Sequence, residues 1–418
     1  MKRSKYMVAV VFAIFFVISF VTDIFGPIVP DVIQSFHLSF SAAAFLPFSF
    51  FISYGVFSIP AGFLVERWGE KRTILGVFSV ALAGSLLLAW LHLFPVAIVS
   101  LFLIGGSMAA LQVAICPLLR VAGGEEHFAY NSAFTQLIFG IASFVSPLVY
   151  SYIVRNLEQV PGRNFFLSAL AAIVPETMQW ISMYWIFAIV IATIMLALAF
   201  SRFPEVERKE DEAAGTADAY RYLLKKPVVW LYFFSMFFYV GSEQGTADWI
   251  SEFLWKYHGY DPHTTGAWAV SWFWGLLTIG CFVSMILLKI FDSRRILRVF
   301  SIGALACLSM ALFGPAPIAK FAFPCIGLFA SVMWPTIISL ALNSVLEYQG
   351  ALSGIVCSGI MGGAILPLII GRTADSFGLR TGMCLLYVTF GWVFAISLWA
   401  KPLITNKRIW QGTEDLVR

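Results

Sequence analysis

The sequence predicts an all-α membrane protein of twelve transmembrane helices in two pseudo-symmetric six-helix halves. Three observations predict it. The 418 residues are 60% hydrophobic and only 12% charged, whereas soluble domains carry about 25% charged residues. Apolar stretches long enough to cross a hydrocarbon core, which takes ~20 helical residues, recur along the whole chain. One charged segment, 202–226, divides them six and six. A water-soluble protein is excluded. The net charge of +4 does not point to nucleic acid, because the positive charges sort by membrane side.

In chain order the spans are expected at about 7–34, 42–65, 73–92, 95–120, 128–153, 182–202, 227–255, 264–291, 296–313, 317–345, 350–371 and 380–400. The N-terminus, MKRSKYMVAVVFAIFF, starts like a secretory signal. Its apolar run continues through Ile33 without a small-residue cleavage site, so it reads as a retained first span. With the N-terminus placed in the cytoplasm, 21 of the 27 Lys and Arg fall in cytoplasmic segments and 6 in outer loops. That bias is the positive-inside signal, and it puts both termini and the linker in the cytoplasm. The domain organisation is therefore 1–201 as the N-terminal half, 202–226 as linker and 227–418 as the C-terminal half. The linker mixes both charge signs with Ala and Gly, and reads as a solvated tether with at most a short surface helix. Between spans 5 and 6 the apolar patch FFLSALAAIV is expected to lie on the membrane surface.

An internal repeat supports the two-fold pattern. The loop after span 2 reads Gly62-x-x-x-Glu66-Arg67-x-Gly69, and the loop after span 11 reads Gly371-x-x-x-Asp375-x-x-Gly378. The spacing is the same although the loops fall on opposite faces, as inverted three-helix repeats within six-helix halves would produce. These residues are candidates for gating or for a shared structural turn, glycine permitting a tight turn or a close helix approach. All six cysteines lie inside apolar runs without metal-ligand spacing, so neither a disulfide framework nor a metal site is expected.

Ionisable groups inside a span cost ~2.5–3.5 kcal/mol on insertion scales and mark functional candidates. Asp23 lies within span 1, in SFVTDIFGPIVPD, where Gly26, Pro27 and Pro30 predict a bent or broken helix. Glu243 lies within span 7, in FFYVGSEQGTADW, beside Gly241 and Gly245. Spans 1 and 7 open the two halves, so the acids hold comparable positions. A carboxylate in low-dielectric surroundings favours neutralisation by a proton or by an adjacent cation. Asp23 and Glu243 are therefore the candidates for cation coupling, with H⁺ or Na⁺; the structural alternative is a hydrogen bond to a neighbouring helix. Asp248 and Glu252 follow toward the outer end of span 7, where they line an approach for solute or are simply hydrated. Asp31, near the outer end of span 1, is expected to be hydrated.

Uncharged polar residues within spans include Gln112, Asn131, Gln136, Thr336 and Asn343. An amide offers both donor and acceptor to a sugar hydroxyl; the alternative is helix–helix bonding, worth ~0.6 kcal/mol on average. Among the aromatics of spans 7 and 8, Tyr239 and Trp272 are candidate surfaces for the apolar face of a pyranose. No nucleophile elbow, zinc-protease helix or Walker loop is present. No enzyme activity, catalytic residue or organic cofactor is expected, and any transport must be passive or driven by an ion gradient.

Four segments carry a family resemblance. LQVAICP (Leu111 to Pro117) is similar to L-Q-V-A-A-N-P, and FYVGSE (Phe238 to Glu243) to F-Y-V-G-A-E. SVMWPTIISLA (Ser331 to Ala341) is similar to S-I-M-F-P-T-I-F-S-L-A, and GIMGGAILPLIIGRTAD (Gly359 to Asp375) to G-I-V-G-G-A-I-I-P-L-L-Q-G-x-x-A-D. The chain thus resembles the fucose–galactose–glucose:proton symporter branch of the major facilitator superfamily over nearly all twelve spans. The resemblance implies that Asp23 serves proton coupling or sugar binding. It also implies that Gln112 stands where the branch has a coupling glutamate, and that Glu243 stands beside the sugar. Two departures stand out: the branch's second span 5 asparagine is replaced by Leu137, and its span 4 asparagine before proline is Cys116. The implied protein is a monomeric multi-pass permease of the bacterial inner membrane. It would carry a monosaccharide with H⁺ or Na⁺ by alternating access through one central site, with only the solute and the lipid bilayer as partners. An exporter or antiporter of amphipathic compounds, and a non-transporting membrane sensor, remain as alternatives.

Overall fold

The computed structural model describes residues 5–123, 128–158, 165–201, 203, 217–345 and 347–400. The side chains of Glu66, Cys116 and a few other helical residues lie outside the described set, as do the C-terminal residues after 400 and most of the linker.

Every described regular element is helical. The first six passes are built from α1 (Lys5–Thr22), α2 (Phe25–Phe36), α3 (Phe40–Trp68), α4 (Glu70–Trp90), α5 (Phe94–Gly123), α6 (Phe128–Glu158), the short α7 (Phe165–Ile173) and α8 (Ser182–Ala199). After the linker helix α9 (Ala217–Leu224) come α10 (Pro227–Ala247), α11 (Ile250–His258), α12 (Ala267–Ile290), α13 (Ser293–Phe313), α14 (Ala316–Ala330) and α15 (Met333–Ser344). The chain continues through α16 (Gln349–Cys357), α17 (Gly362–Phe377), α18 (Leu379–Met383) and α19 (Leu385–Trp399). Among the described residues, eleven helical stretches are long and apolar enough to cross a membrane. The expected seventh pass is not one of them, because Ser242, Glu243, Gln244 and Thr246 dilute its hydropathy and the helix breaks after Ala247.

The chain divides into two compact units, Met1–Glu207 with Asp248–Ser271, and Arg208–Ala247 with Trp272–Arg418. The segment 248–271, which follows the linker in sequence, thus belongs to the unit that holds the first six passes.

In the first unit, small residues let helices approach closely, the usual basis of helix packing in lipid. A Cβ on Gly105 of α5 would strike the Phe50 carbonyl and the Ser53 hydroxyl of α3. Ser146 Oγ of α6 donates to the Phe20 carbonyl of α1 at 2.7 Å. Lys71, at the start of α4, donates to the Ala199 and Ser201 carbonyls at 2.9 and 2.7 Å, capping the end of α8 where carbonyls lack intrahelical partners. In the second unit, Gly241 of α10 meets Leu366 of α17, and Gly362 meets the Phe237 carbonyl. Arg298 of α13 reaches the Ser397 carbonyl of α19 at 3.3 Å.

The repeated loop motif has a common backbone. Gly69 ends α3 at φ 76°, ψ 164°, and Gly378 ends α17 at φ 86°, ψ 154°. Each donates its N–H to the carbonyl four residues back, Val65 at 3.0 Å and Ala374 at 2.9 Å. A side chain is strained in that region, so glycine is required at both places.

Candidate functional site

Span 1 breaks at Asp23. The N–H that would reach the Asp23 carbonyl in an unbroken helix belongs to Pro27, which has none. Ile24 accordingly sits at φ −98°, ψ −13°, between α1 and α2. Asp23 is 4% exposed. Ser143 Oγ of α6 donates to its Oδ2 at 2.6 Å, and Ser19 Oγ, one turn earlier, donates to the same oxygen at 3.2 Å. The two serine oxygens lie 2.7 Å apart, and each hydroxyl shares its one proton between Asp23, the other serine and the Phe139 carbonyl, which Ser19 reaches at 2.6 Å and Ser143 at 3.0 Å. Two hydroxyl donors suit an ionised carboxylate, and a hydroxyl that rotates away accommodates the neutral acid. Thr22 bonds back to the Ile18 carbonyl at 2.7 Å and also meets the Tyr54 hydroxyl.

The remaining candidates in this unit are placed differently. Asn131 of α6 is buried, Gln112 of α5 is half-buried, and Gln136 is exposed. The side chains of the Gly62-to-Gly69 motif are exposed at Arg67 and outside the described set at Glu66.

In the second unit Glu243 is half-buried on α10, and Tyr239, one turn before it, donates its hydroxyl to Glu243 Oε2. The Tyr239 ring meets Trp334 of α15 at 6.3 Å and 62°. Cys281 of α12 lies within electrostatic range of Glu243. Ser242, beside it, donates to Thr389 of α19 at 2.6 Å and so fixes α10 against α19. Thr336 of α15 is buried and its hydroxyl has no partner among the described residues. Asn343 donates to Ser339 at 3.4 Å on its own helix, and Trp272 is half-buried. Asp375 is exposed, on the turn before Gly378.

Sequence reasoning missed a second polar cluster. Asp31 is not simply hydrated: His263 Nε2 stands 2.8 and 2.9 Å from its two oxygens, and the Tyr150 hydroxyl donates to Oδ2. Ser151 of α6 donates to the His263 carbonyl. Asp261 caps the π-helical turn Pro262–Gly266 by accepting from the His263 N–H at 3.0 Å and the Thr264 hydroxyl at 2.8 Å. The Asx cap before Pro262 was the one local signal. Its partner Asp31 lies far away in the chain.

Outside the spans, Lys226 and Glu347 form an exposed ion pair at 2.9 Å, with the Lys226 ammonium 4.5 Å from the Tyr222 ring. The hydrogen bond from Lys226 holds the Glu347 carboxyl below the usual carboxylate range, and the same bond pushes the Lys226 ammonium up. Among the described residues no group of three or more His, Cys, Asp or Glu is arranged to hold a metal ion.

The described helices are those of a membrane protein, and the relatives it resembles are transporters rather than enzymes. Residues 11–366 match the Major Facilitator Superfamily, and the chain belongs to that family. It is 28% identical over 395 residues to the glucose/galactose transporter of Brucella abortus biovar 1 (strain 9-941), covering 90% of this chain and 91% of that one. It is 24% identical over 416 residues to the L-fucose-proton symporter of Escherichia coli (strain K12), covering 95% and 94%. The fold is similar to the crystal structure of the E. coli fucose:proton symporter, with a TM-score of 0.65, 18% identity and coverage of 94% and 98%.

Proposed function

We propose that this protein is a cation-coupled symporter of a monosaccharide, with H⁺ or Na⁺ as the coupling ion, working by alternating access. The observation that carries the reading is the buried Asp23 carboxyl at the break of span 1, held by Ser19 and Ser143. The functions of the glucose/galactose and L-fucose relatives support the solute class. Asp23 and Glu243 are the coupling acids. Gln112, Asn131, Gln136, Tyr239, Trp272, Thr336 and Asn343 contact solute, and the two glycine–acid motifs serve gating or structural turns. Cation binding neutralises a buried acid, the solute then binds, and the neutral loaded form occludes. An unloaded, charged acid resists closure, because burying an unpaired charge is costly, and this enforces coupling. The protein acts as a monomer in a bacterial inner membrane; the Lys and Arg distribution supports placing both termini in the cytoplasm.

The test is uptake into proteoliposomes of labelled glucose, galactose, fucose and N-acetylglucosamine under a pH or a Na⁺ gradient, with Asp23→Asn and Glu243→Gln alongside. Gradient-driven accumulation of one sugar, lost in both variants, is expected. Absence of uptake of every sugar by folded protein under either gradient would refute sugar symport.

A further inference from the structure

Span 7 also breaks at an aspartate, and it is not Glu243. The helix stops at Ala247, Asp248 and Trp249 form the break, and α11 resumes at Ile250. Trp249 takes φ −104°, ψ −3°, close to the φ −98°, ψ −13° of Ile24, so each break places the same backbone conformation directly after an aspartate. A threonine near each break bonds back one turn, Thr22 directly before Asp23 to the Ile18 carbonyl and Thr246 two residues before Asp248 to the Ser242 carbonyl, both at 2.7 Å. In backbone terms Asp248, rather than Glu243, is the counterpart of Asp23.

The surroundings of Asp248 have no structural explanation. Asp248 is 2% exposed, and its Oδ2 is closed off from solvent with no hydrogen-bond partner among the described residues. A buried polar group is normally paired, and one left unpaired costs about 1–3 kcal/mol or more when charged. The segment that carries Asp248 belongs to the same compact unit as Asp23, and the two carboxyls lie within electrostatic range. No Lys, Arg or His among the described residues offsets either one; the groups that act on them are the Ser19 and Ser143 hydroxyls at Asp23 and the Asp23 charge at Asp248, while the Tyr54 phenol on α3 lies within range of Asp23. Glu252, one turn further on, differs in having Lys256 within range. Among the described residues, both donors at Asp23 converge on Oδ2. Two carboxylates in a low-dielectric unit without a cation repel each other, and protonating either one relieves both that repulsion and the cost of burial.

We infer that Asp23 and Asp248 together form the proton-binding site of this transporter, Asp248 being a coupling acid in its own right. This rests on the symport reading and narrows it to H⁺. One proton from the outer solution bonds to a carboxylate oxygen of the pair and removes one negative charge. The same O–H bond breaks when the proton leaves to the inside. The serine hydroxyls hold whichever charge remains on Asp23.

The experiment compares wild type, Asp23→Asn, Asp248→Asn and Asp248→Glu by two readouts. The first is sugar accumulation in proteoliposomes under a pH gradient: Asp248→Asn is expected to lose it, and Asp248→Glu, which keeps a carboxyl, to recover part of it. The second is infrared titration of the protonated-carboxyl stretch in purified protein, which requires no transport. Coupled acids titrate in two steps that belong to the pair, and either Asn variant should collapse them to one. Asp248→Asn that accumulates sugar like wild type, or that leaves the titration of Asp23 unchanged, overturns the inference. If wild type accumulates none of the sugars under a pH gradient, proton–sugar symport fails instead, and the infrared titration still decides whether the two aspartates act as a pair. A variant that aggregates on size-exclusion chromatography is read through Asp248→Glu.

Discussion

At the residue scale, the working unit is a carboxylate and two hydroxyls. Asp23 and Ser19 are one turn apart on the same helix, so their encounter follows from helical spacing alone. Ser143 comes from α6 and bears the shorter bond, 2.6 Å against 3.2 Å. Removing it breaks an interhelical bond to a group that carries charge in part of the cycle. Ser143→Ala is therefore expected to lower stability by about 1–2 kcal/mol, between the average for intramembrane bonds and that for bonds to charged groups. A thermal melt in detergent reads it, and an unchanged midpoint would assign the hold on Asp23 to Ser19. The acid itself was legible in the sequence, because an aspartate in an apolar run stands out. Its partner was not, because one serine among many in a membrane helix carries no signal.

At the element scale, glycine decides how closely helices pack and where they stop. Gly105 faces the α3 backbone with no room for a Cβ. Gly105→Val is expected to force α3 and α5 apart, at a cost of about 1–3 kcal/mol, visible as a lower melting temperature. By contrast an added methyl at Gly62 or Gly391 would meet open space, and alanine there should be tolerated. Lys226 and Glu347 tie the start of α10 to the turn before α16. With the Glu347 carboxyl held low, the tie is intact above the ordinary carboxylate range and weakens as pH falls through the lowered value. With the Lys226 ammonium held high, it weakens again only as pH rises through that raised value. The pair is exposed to water, where such bridges contribute little. Glu347→Gln should leave the melting temperature at neutral pH unchanged; a clear drop would mean the tie is structural.

At the scale of the whole molecule, sequence order and compactness part company in one segment. Residues 248–271 follow the linker but belong to the unit of the first six passes. The bonds that hold them there are explicit: His263 to Asp31, Ser151 to the His263 carbonyl, and the edge-on contact of Phe40 with Trp249 at 5.7 Å. His263 and Asp31 are only 20% and 16% exposed, so solvent screens the pair weakly. His263→Ala is expected to loosen the turn Pro262–Gly266 and α11, seen as faster amide hydrogen exchange across 250–266. Unchanged exchange would mean that the aromatic contacts alone hold the segment.

The sequence by itself determined the helices, their approximate limits, the broken first span, the paired glycine turns and the presence of buried acids. These depend on hydropathy, proline and glycine chemistry, and spacing within a few turns, all of which are local. Only the tertiary structure decided which acids have partners. Ser143 reaches Asp23 across 120 residues and His263 reaches Asp31 across 232, while among the described residues Asp248 is left with an unpartnered oxygen near a second acid. Hydrogen bonds act over about 3 Å, so their partners are set by how helices pack, and no local pattern in the chain encodes that.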